Sequence, residues 1–322
     1  MPVQRLELRD LEFVGSDLDR PECVMATRSG DLFVPDKRGG ISIVRADGRT
    51  ERVLAKGAPE GFLPNGIALL PDRSVLIANL GPTGGVYHMT PDGTLRPKLL
   101  EIDGKQLEPT NFVGIDRQSR IWITVSTKLI PREQSMRKGY GDGYIILIDE
   151  KGPRVVAENI GFTNEAIVDP TGQWLYVAET IARRTSRFPI RQDGSLGPKE
   201  VFAEYGQVCT FPDGFAFDSE GAVWIVSVVS NRVIRAMPDG TQHILIEDAD
   251  PKTLQEIEEA FQNDRYTRTH LDSGGKRPLA NLSGIAFGGP DLKTVYLGSL
   301  FGTRLATFRS PVAGAEPVHW NF

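Results

Sequence analysis

Four oxygen-bearing side chains stand at the head of short apolar runs. Glu22 precedes Cys23-Val24-Met25-Ala26, Asn111 precedes Phe112-Val113-Gly114-Ile115, Asn164 precedes Glu165-Ala166-Ile167-Val168, and Asp213 precedes Gly214-Phe215-Ala216-Phe217. Brought to one axis, they would supply two carboxylates and two carboxamides. Like charges in close proximity raise each other's pKa unless a cation lies between them. A divalent ion offsets such a set, and all-oxygen donors favour a hard ion, Ca²⁺ first and Mg²⁺ next. His88, His243, His270 and His319 head none of these runs, so a histidine-based zinc centre is the weaker reading. Asp213, bound through one oxygen, keeps another that can take a proton from water or attack a carbonyl itself.

Such a site needs elements that converge, and the chain writes them as a repeat. Phe211 to Val226 reads as an apolar strand, an Asp-Ser-Glu-Gly turn and a second strand rich in β-branched and aromatic residues. The same pattern follows Asn65, whose Asn-Gly pair is also a common turn signal, and Asn164. With Glu22, Asn111 and Ser283 added, six units open at 22, 65, 111, 164, 213 and 283. The second half of a unit repeats as well: Asp47-Gly48, Asp92-Gly93, Lys151-Gly152, Asp193-Gly194 and Asp239-Gly240 each separate two β-rich runs. Units of roughly 45 residues with four strands are the signature of propeller blades. The expectation is therefore an all-β fold, a six-bladed β-propeller with four antiparallel strands per blade, as a single domain over residues 1–322. Either terminal segment, Leu6 to Val14 or Glu316 to Trp320, can supply the outermost strand of the closing blade, and pairing the two ends would remove an exposed edge.

Two segments fall outside the repeat. One runs from Lys128 to Gly143 between the second and third strands of the third unit. The other runs from Asp248 to Leu282, and its Leu254, Ile257 and Phe261 sit at helical spacing with Glu256, Glu258 and Glu259 placed outward. If the first strand of each blade starts at the channel mouth, loops joining second to third strands return to that mouth. Both insertions then lie over the ring of polar openers, where long loops on a rigid body carry function. Glu179, Arg183 and Arg184 after the second strand of blade four, Asn79 after that of blade two, and Tyr140 in the insertion are candidate substrate contacts beside Asn111. Met136, Tyr144, Phe162 and Phe211 are candidate wall residues.

Composition excludes other classes. The chain has 322 residues, 40% hydrophobic, with 34 glycines and a formal charge of -5, and its Lys and Arg are scattered. No nucleic-acid or anionic-membrane partner is expected. Met1 to Arg9 alternates apolar and polar residues and reads as a strand rather than a signal peptide, so a cytoplasmic protein is expected. Cys23 and Cys209 have no CxxC spacing and read as buried thiols.

The motifs Arg20-Pro21-Glu22, Thr110-Asn111, Thr163-Asn164 and Phe211-Pro212-Asp213-Gly214 followed by Asp218-Ser219-Glu220-Gly221-Ala222-Val223-Trp224 resemble those of the SMP-30/gluconolactonase/luciferin-regenerating family of six-bladed propellers. The resemblance covers essentially the whole chain. It implies one divalent ion held by Glu22, Asn164 and Asp213, with Asn111 at or near the metal and substrate. It also implies hydrolysis of lactones, often aldonolactones, with Ca²⁺, Zn²⁺, Mn²⁺ or Mg²⁺ able to serve. The first motif and the long insertions depart from the compact sugar lactonases and point to a bulkier lactone or ester. The competing expectation is a non-catalytic binding propeller that metal staples together, or a non-hydrolytic or phosphotriesterase-like member of the same group.

Overall fold

Aspartates that close the first hairpin of a blade do the same work twice. Asp218 Oδ1 accepts from the backbone N–H groups of Glu220 and Ala222, and its Oδ2 accepts from Trp224 Nε1 and Arg235 Nε. Asp116 repeats this with Gln118, Arg120 and the indole of Trp122. One carboxylate thus fixes the turn and anchors the tryptophan that starts the next strand. Trp122 and Trp224 are among the largest fully buried side chains, and truncating either to alanine would cost about 3–5 kcal/mol.

The computed structural model describes residues 5–322 and shows six four-stranded antiparallel sheets arranged as a ring. Blades one to five span residues 25–54, 64–99, 110–160, 163–204 and 210–247. Neighbouring blades pack through their first two strands, and the sixth returns to the first. Apolar side chains from adjacent blades share clusters, for example Trp224 and Val226 of blade five with Ile285, Phe287 and Val295 of blade six. This answers the surface problem of a small sheet, since each blade buries both faces.

The N-terminal segment closes the ring. Blade six consists of Leu282–Gly288, Thr294–Ser299 and Leu305–Arg309, and its outermost strand is Glu12–Val14, paired with Glu12 opposite Thr307. The expected strand within Met1 to Arg9 does not appear among its described residues; Leu8–Asp10 forms a 3-10 turn instead, and residues 1–4 lie outside the description. The C-terminal segment is not an outer strand. It crosses the end of the channel opposite the mouth, with Ser219 N–H donating to Ala313 O, Ala315 N–H to Phe217 O and Arg28 N–H to Trp320 O. There Pro317, Val318 and His319 close over a cavity also lined by Phe112, Glu165, Phe215 and Phe287.

Both insertions sit at the mouth. The second contains helix α1, Pro251–Gln262, capped at its start by Asp250 accepting from Thr253 N–H, and the single turn α2, Arg268–Leu271. Leu254, Ile257 and Phe261 of α1 are buried in a cluster with Met136 of the first insertion and Phe162, Phe211 and Val228 of the blades. Lys138 Nζ donates to Gln262 Oε1 at 2.6 Å, a second tie between the insertions. Glu258 does not point outward as the spacing suggested. It faces the blades and takes two hydrogen bonds from Arg183, at 2.9 and 2.8 Å.

Candidate metal and substrate site

The openers owe their aim to a local irregularity. In blades two to six the first strand breaks register against the second at the opener: between Pro64 and Ile67, Thr110 and Phe112, Thr163 and Ala166, Pro212 and Phe215, and Leu282 and Gly284. A bulge adds a residue that the partner strand does not match and redirects its side chain. The glycine after the opener in three blades lies against the adjacent blade. A Cβ on Gly214 would stand 2.5 Å from Ser283 O, and one on Gly284 would stand 2.4 Å from Glu22 O. Those glycines therefore mark close approach of first strands rather than turns.

Glu22, Asn65, Asn111, Asn164 and Asp213 come together at the floor of a cleft beneath the insertions, with a cavity of about 40 Å³. A chain of hydrogen bonds orders them. Arg20 Nη2 donates to Asn65 Oδ1 at 2.7 Å, Asn65 Nδ2 to Glu22 Oε1 at 3.0 Å and to Asn111 O at 2.7 Å, Asn111 Nδ2 to Asn164 Oδ1 at 2.8 Å, and Asn164 Nδ2 to Thr180 Oγ1 at 3.1 Å. Two carboxylate oxygens are left over: Glu22 Oε2 and Asp213 Oδ1 are buried with no hydrogen-bond partner. Burial pushes the Glu22 carboxyl up to about 7 against the pull of Arg20. Burial and then the charge of Glu22 push Asp213 well above the usual carboxylate range. Leaving acceptors unpaired in such a place is costly, and a bound cation would satisfy both oxygens. The donor set thus fits one hard divalent ion. Among the described residues no group of three or more His, Cys, Asp and Glu side chains forms a metal cluster; the oxygens here come from two carboxylates and neighbouring carboxamides.

Ser283, the sixth opener, donates its hydroxyl to Glu22 O at 2.8 Å and serves the ring backbone. Met136 and Phe162 line the cleft as walls. Of the expected substrate contacts, Asn111 lines the cleft and the others are engaged elsewhere. Glu179 is fully buried, accepting from Arg184 at 2.9 Å through each oxygen and from Gly161 N–H at 2.8 Å. Arg183 stacks on Phe211 and Phe261 while pairing with Glu258. Tyr140 donates to Asp142 Oδ2 at 2.9 Å under Arg137, and Tyr144 pairs with Glu108. Asn79 accepts from Leu63 and Gly81 N–H groups and braces its own loop.

Four residues at the channel have no counterpart among the expectations. Glu165, beside Asn164 in the bulge, accepts from Phe215 N–H at 3.1 Å, and burial holds its carboxyl well above the usual range. Strict alternation would have turned it away from the axis, so only the bulge could have signalled it. Arg20 lines the cleft from just before the first opener, and Arg132 and Arg268 line it from the two insertions. The Pro after Arg20 and the length of the insertions were the available hints.

A ring of six four-stranded blades with acidic and amide openers at one mouth defines a six-bladed β-propeller with a polar channel mouth. Residues 21–248 match the SMP-30/Gluconolactonase/LRE-like region, and the chain belongs to that family. A curated relative, 6-deoxy-6-sulfogluconolactonase of Pseudomonas putida, is 27% identical over 218 residues, which is 67% of this chain and 62% of that protein. Among solved structures, a gluconolactonase from Xanthomonas campestris superimposes with a TM-score of 0.67 at 18% identity, covering 98% of this chain and 95% of that one. A calcium-binding regucalcin from Agrobacterium tumefaciens gives 0.66 at 18%, covering 97% of each. At these identities the likeness speaks for the fold. No helix among the described residues is long and apolar enough to cross a membrane.

Proposed function

We propose that the protein is a metal-dependent hydrolase that opens a lactone or related ester in the cleft beneath the two insertions. The observation that carries this reading is the pair of buried, unpartnered oxygens, Glu22 Oε2 and Asp213 Oδ1, on the floor of that cleft. Family membership and the name of the curated relative support it.

Glu22, Asn164 and Asp213 would hold one divalent ion, Ca²⁺ first and Mg²⁺, Mn²⁺ or Zn²⁺ as substitutes, with Asn111 beside them. When bound, such an ion supplies the positive charge that ionises both carboxyls and the Lewis acidity that polarises a carbonyl oxygen. Asp213, ionised, accepts a proton from the water that attacks the lactone carbonyl and returns it to the ring oxygen as the C–O bond breaks. Asn65 and Asn111 fix the orientation of Glu22 and Asn164 through their amide hydrogens. Met136 and Phe162 give the substrate ring an apolar wall and limit stray water.

The test is metal content after purification, then hydrolysis of a panel of lactones and esters with and without chelator. Turnover that chelation abolishes and a divalent ion restores is expected. Absence of hydrolysis across the panel with Ca²⁺, Mg²⁺, Mn²⁺ and Zn²⁺ each saturating would overturn the reading.

A further inference from the structure

The cleft carries more guanidinium than its own carboxylates account for. Arg132 comes from the first insertion and Arg268 from the second, so both stand on the roof; Arg20 stands beside the floor. Arg132 Nη2 donates to Ser126 Oγ at 2.9 Å, its plane lies over the Phe162 ring at 4.8 Å, and its Nε is buried with no partner. Arg20 donates to Pro64 O and Asn65 Oδ1, both uncharged. Among the described residues neither is drawn into an ion pair, whereas Arg268 takes Asp272 through its Nε. Burial, followed by the charge of Arg268, pulls Arg132 down to about 10, and it stays cationic at neutral pH.

An enclosed guanidinium without a carboxylate is rare because desolvation is not repaid. Arginine forks are matched to the planar or tetrahedral oxygens of carboxylate, sulfonate and phosphate. If a divalent ion offsets Glu22 and Asp213, the positive charge at Arg20 and Arg132 is left without an ion-pair partner, and the charge of Glu133 bears on Arg132 without pairing with it. A neutral sugar lactone would leave it so.

We propose that the substrate is a lactone bearing a strongly acidic group remote from the carbonyl, and that Arg132, joined by the terminal nitrogens of Arg268 that the Nε contact with Asp272 leaves over, grips that group while the carbonyl lies at the Glu22–Asp213 floor. This rests on the hydrolase reading and adds the substrate class to it. The insertions then act as a charge-selective roof. Their common apolar cluster, Met136 with Leu254, Phe261 and Leu271, holds the two arginines at a fixed spacing.

The experiment compares glucono-1,5-lactone with analogues carrying a sulfonate, a phosphate or a carboxylate at C6, on the metal-loaded protein. A preference of about 10²-fold in kcat/KM for at least one anionic analogue is expected, since a polar site discriminates strongly against a substrate lacking the matching group. Ranking the three analogues identifies the anion. R132Q should shrink the preference to below about tenfold, R132K, which keeps the charge and loses the fork, should retain part of it, and added salt should erode it; melting temperatures confirm that both variants fold. In parallel, calorimetry measures binding of gluconate against its C6-anionic counterparts, which requires no turnover. Equal rates on neutral and anionic lactones overturn the anion grip and leave the hydrolase reading standing. No turnover of any lactone, together with tighter binding of the anionic acids that R132Q removes, overturns the hydrolase reading and upholds the grip. Equal binding of neutral and anionic acids, whatever the turnover, overturns the grip.

Discussion

Asn65 Nδ2 lies 3.0 Å from Glu22 Oε1 and holds one edge of a carboxylate whose other oxygen is buried without a partner. The same amide nitrogen reaches Asn111 O at 2.7 Å, so a single side chain ties three blades at the channel. Asn65 also takes the guanidinium of Arg20 on its oxygen. An asparagine that reads as a turn residue in sequence is the hub that orients the floor.

Asn65→Ala should strip partners from Glu22 Oε1, Asn111 O and Arg20 together. The expected loss is about 1–3 kcal/mol of stability, the usual effect of leaving buried polar groups unpaired. Affinity for a divalent ion should fall by roughly 10–100-fold, as it does when groups that orient ligands are removed. Urea unfolding and metal titration measure the two effects. Wild-type values for both would return Asn65 to the role of a local turn former.

Asp213 and Glu22 should separate catalysis from metal binding. Asp213→Asn keeps one ligating oxygen and removes the base, so hydrolysis should slow by about 10²–10⁴-fold with the ion still bound at saturation. Glu22→Gln should recover most activity when metal is added. Calorimetric occupancy alongside steady-state rates decides the matter, and near-full activity of Asp213→Asn with metal saturated would place the base on another group.

Helix α1 is clipped to blade four by charge. Glu258 accepts from both terminal nitrogens of Arg183 and from Cys209 N–H at 2.8 Å. Glu258→Ala should strand the Arg183 guanidinium between Phe211 and Phe261 and cost about 1–3 kcal/mol, discounted for the partial exposure of the pair. Hydrogen exchange should quicken in Pro251–Gln262 before it quickens in the blades. Uniform exchange rates in the variant would show that the apolar face alone seats the helix.

The strap over the opposite end of the channel should respond to acid. Burial pulls His319 down to about 4, and its Nε2 is enclosed with no partner. Its folded pKa is depressed below the ordinary value of 6.5, so the unfolded chain binds the proton more readily. The stability gained is present above pH 6.5 and is lost as pH falls toward 4. His319→Phe should flatten that part of the melting-temperature profile. An unchanged slope between pH 6.5 and 4 would assign the acid sensitivity to other groups.

The blades were legible because a hairpin announces itself locally: Asp218 to Trp224 is one sentence of turn and strand, and Asp116 to Trp122 repeats its key residues. The openers Glu22, Asn111, Asn164 and Asp213 were legible as a set because equivalent positions in a ring meet at its axis. Their neighbours were harder to see. Glu165 follows Asn164, and alternation places successive residues on opposite faces, a rule suspended where the strand bulges between Thr163 and Ala166. Glu179 and Arg183 lie at the end of the second strand of blade four, yet each is held by a charged partner, Arg184 and Glu258. Arg132 and Arg268 belong to no repeat, and only the packing of two insertions against each other brings them over the floor.

The pairing of Glu12 with Thr307 and Val14 with Leu305 gives the ring a clasp made from opposite ends of the polypeptide. During synthesis the first of these partners leaves the ribosome long before the second exists. For most of that interval the Glu12–Val14 strand has an unpaired edge, which is the hazard that closed rings avoid once complete. Joining sequence positions so far apart is slow and carries a loop-closure cost that no local contact offsets in advance. Native blade contacts can assemble in chain order, but the last blade becomes a four-stranded sheet only when the first-made strand comes home.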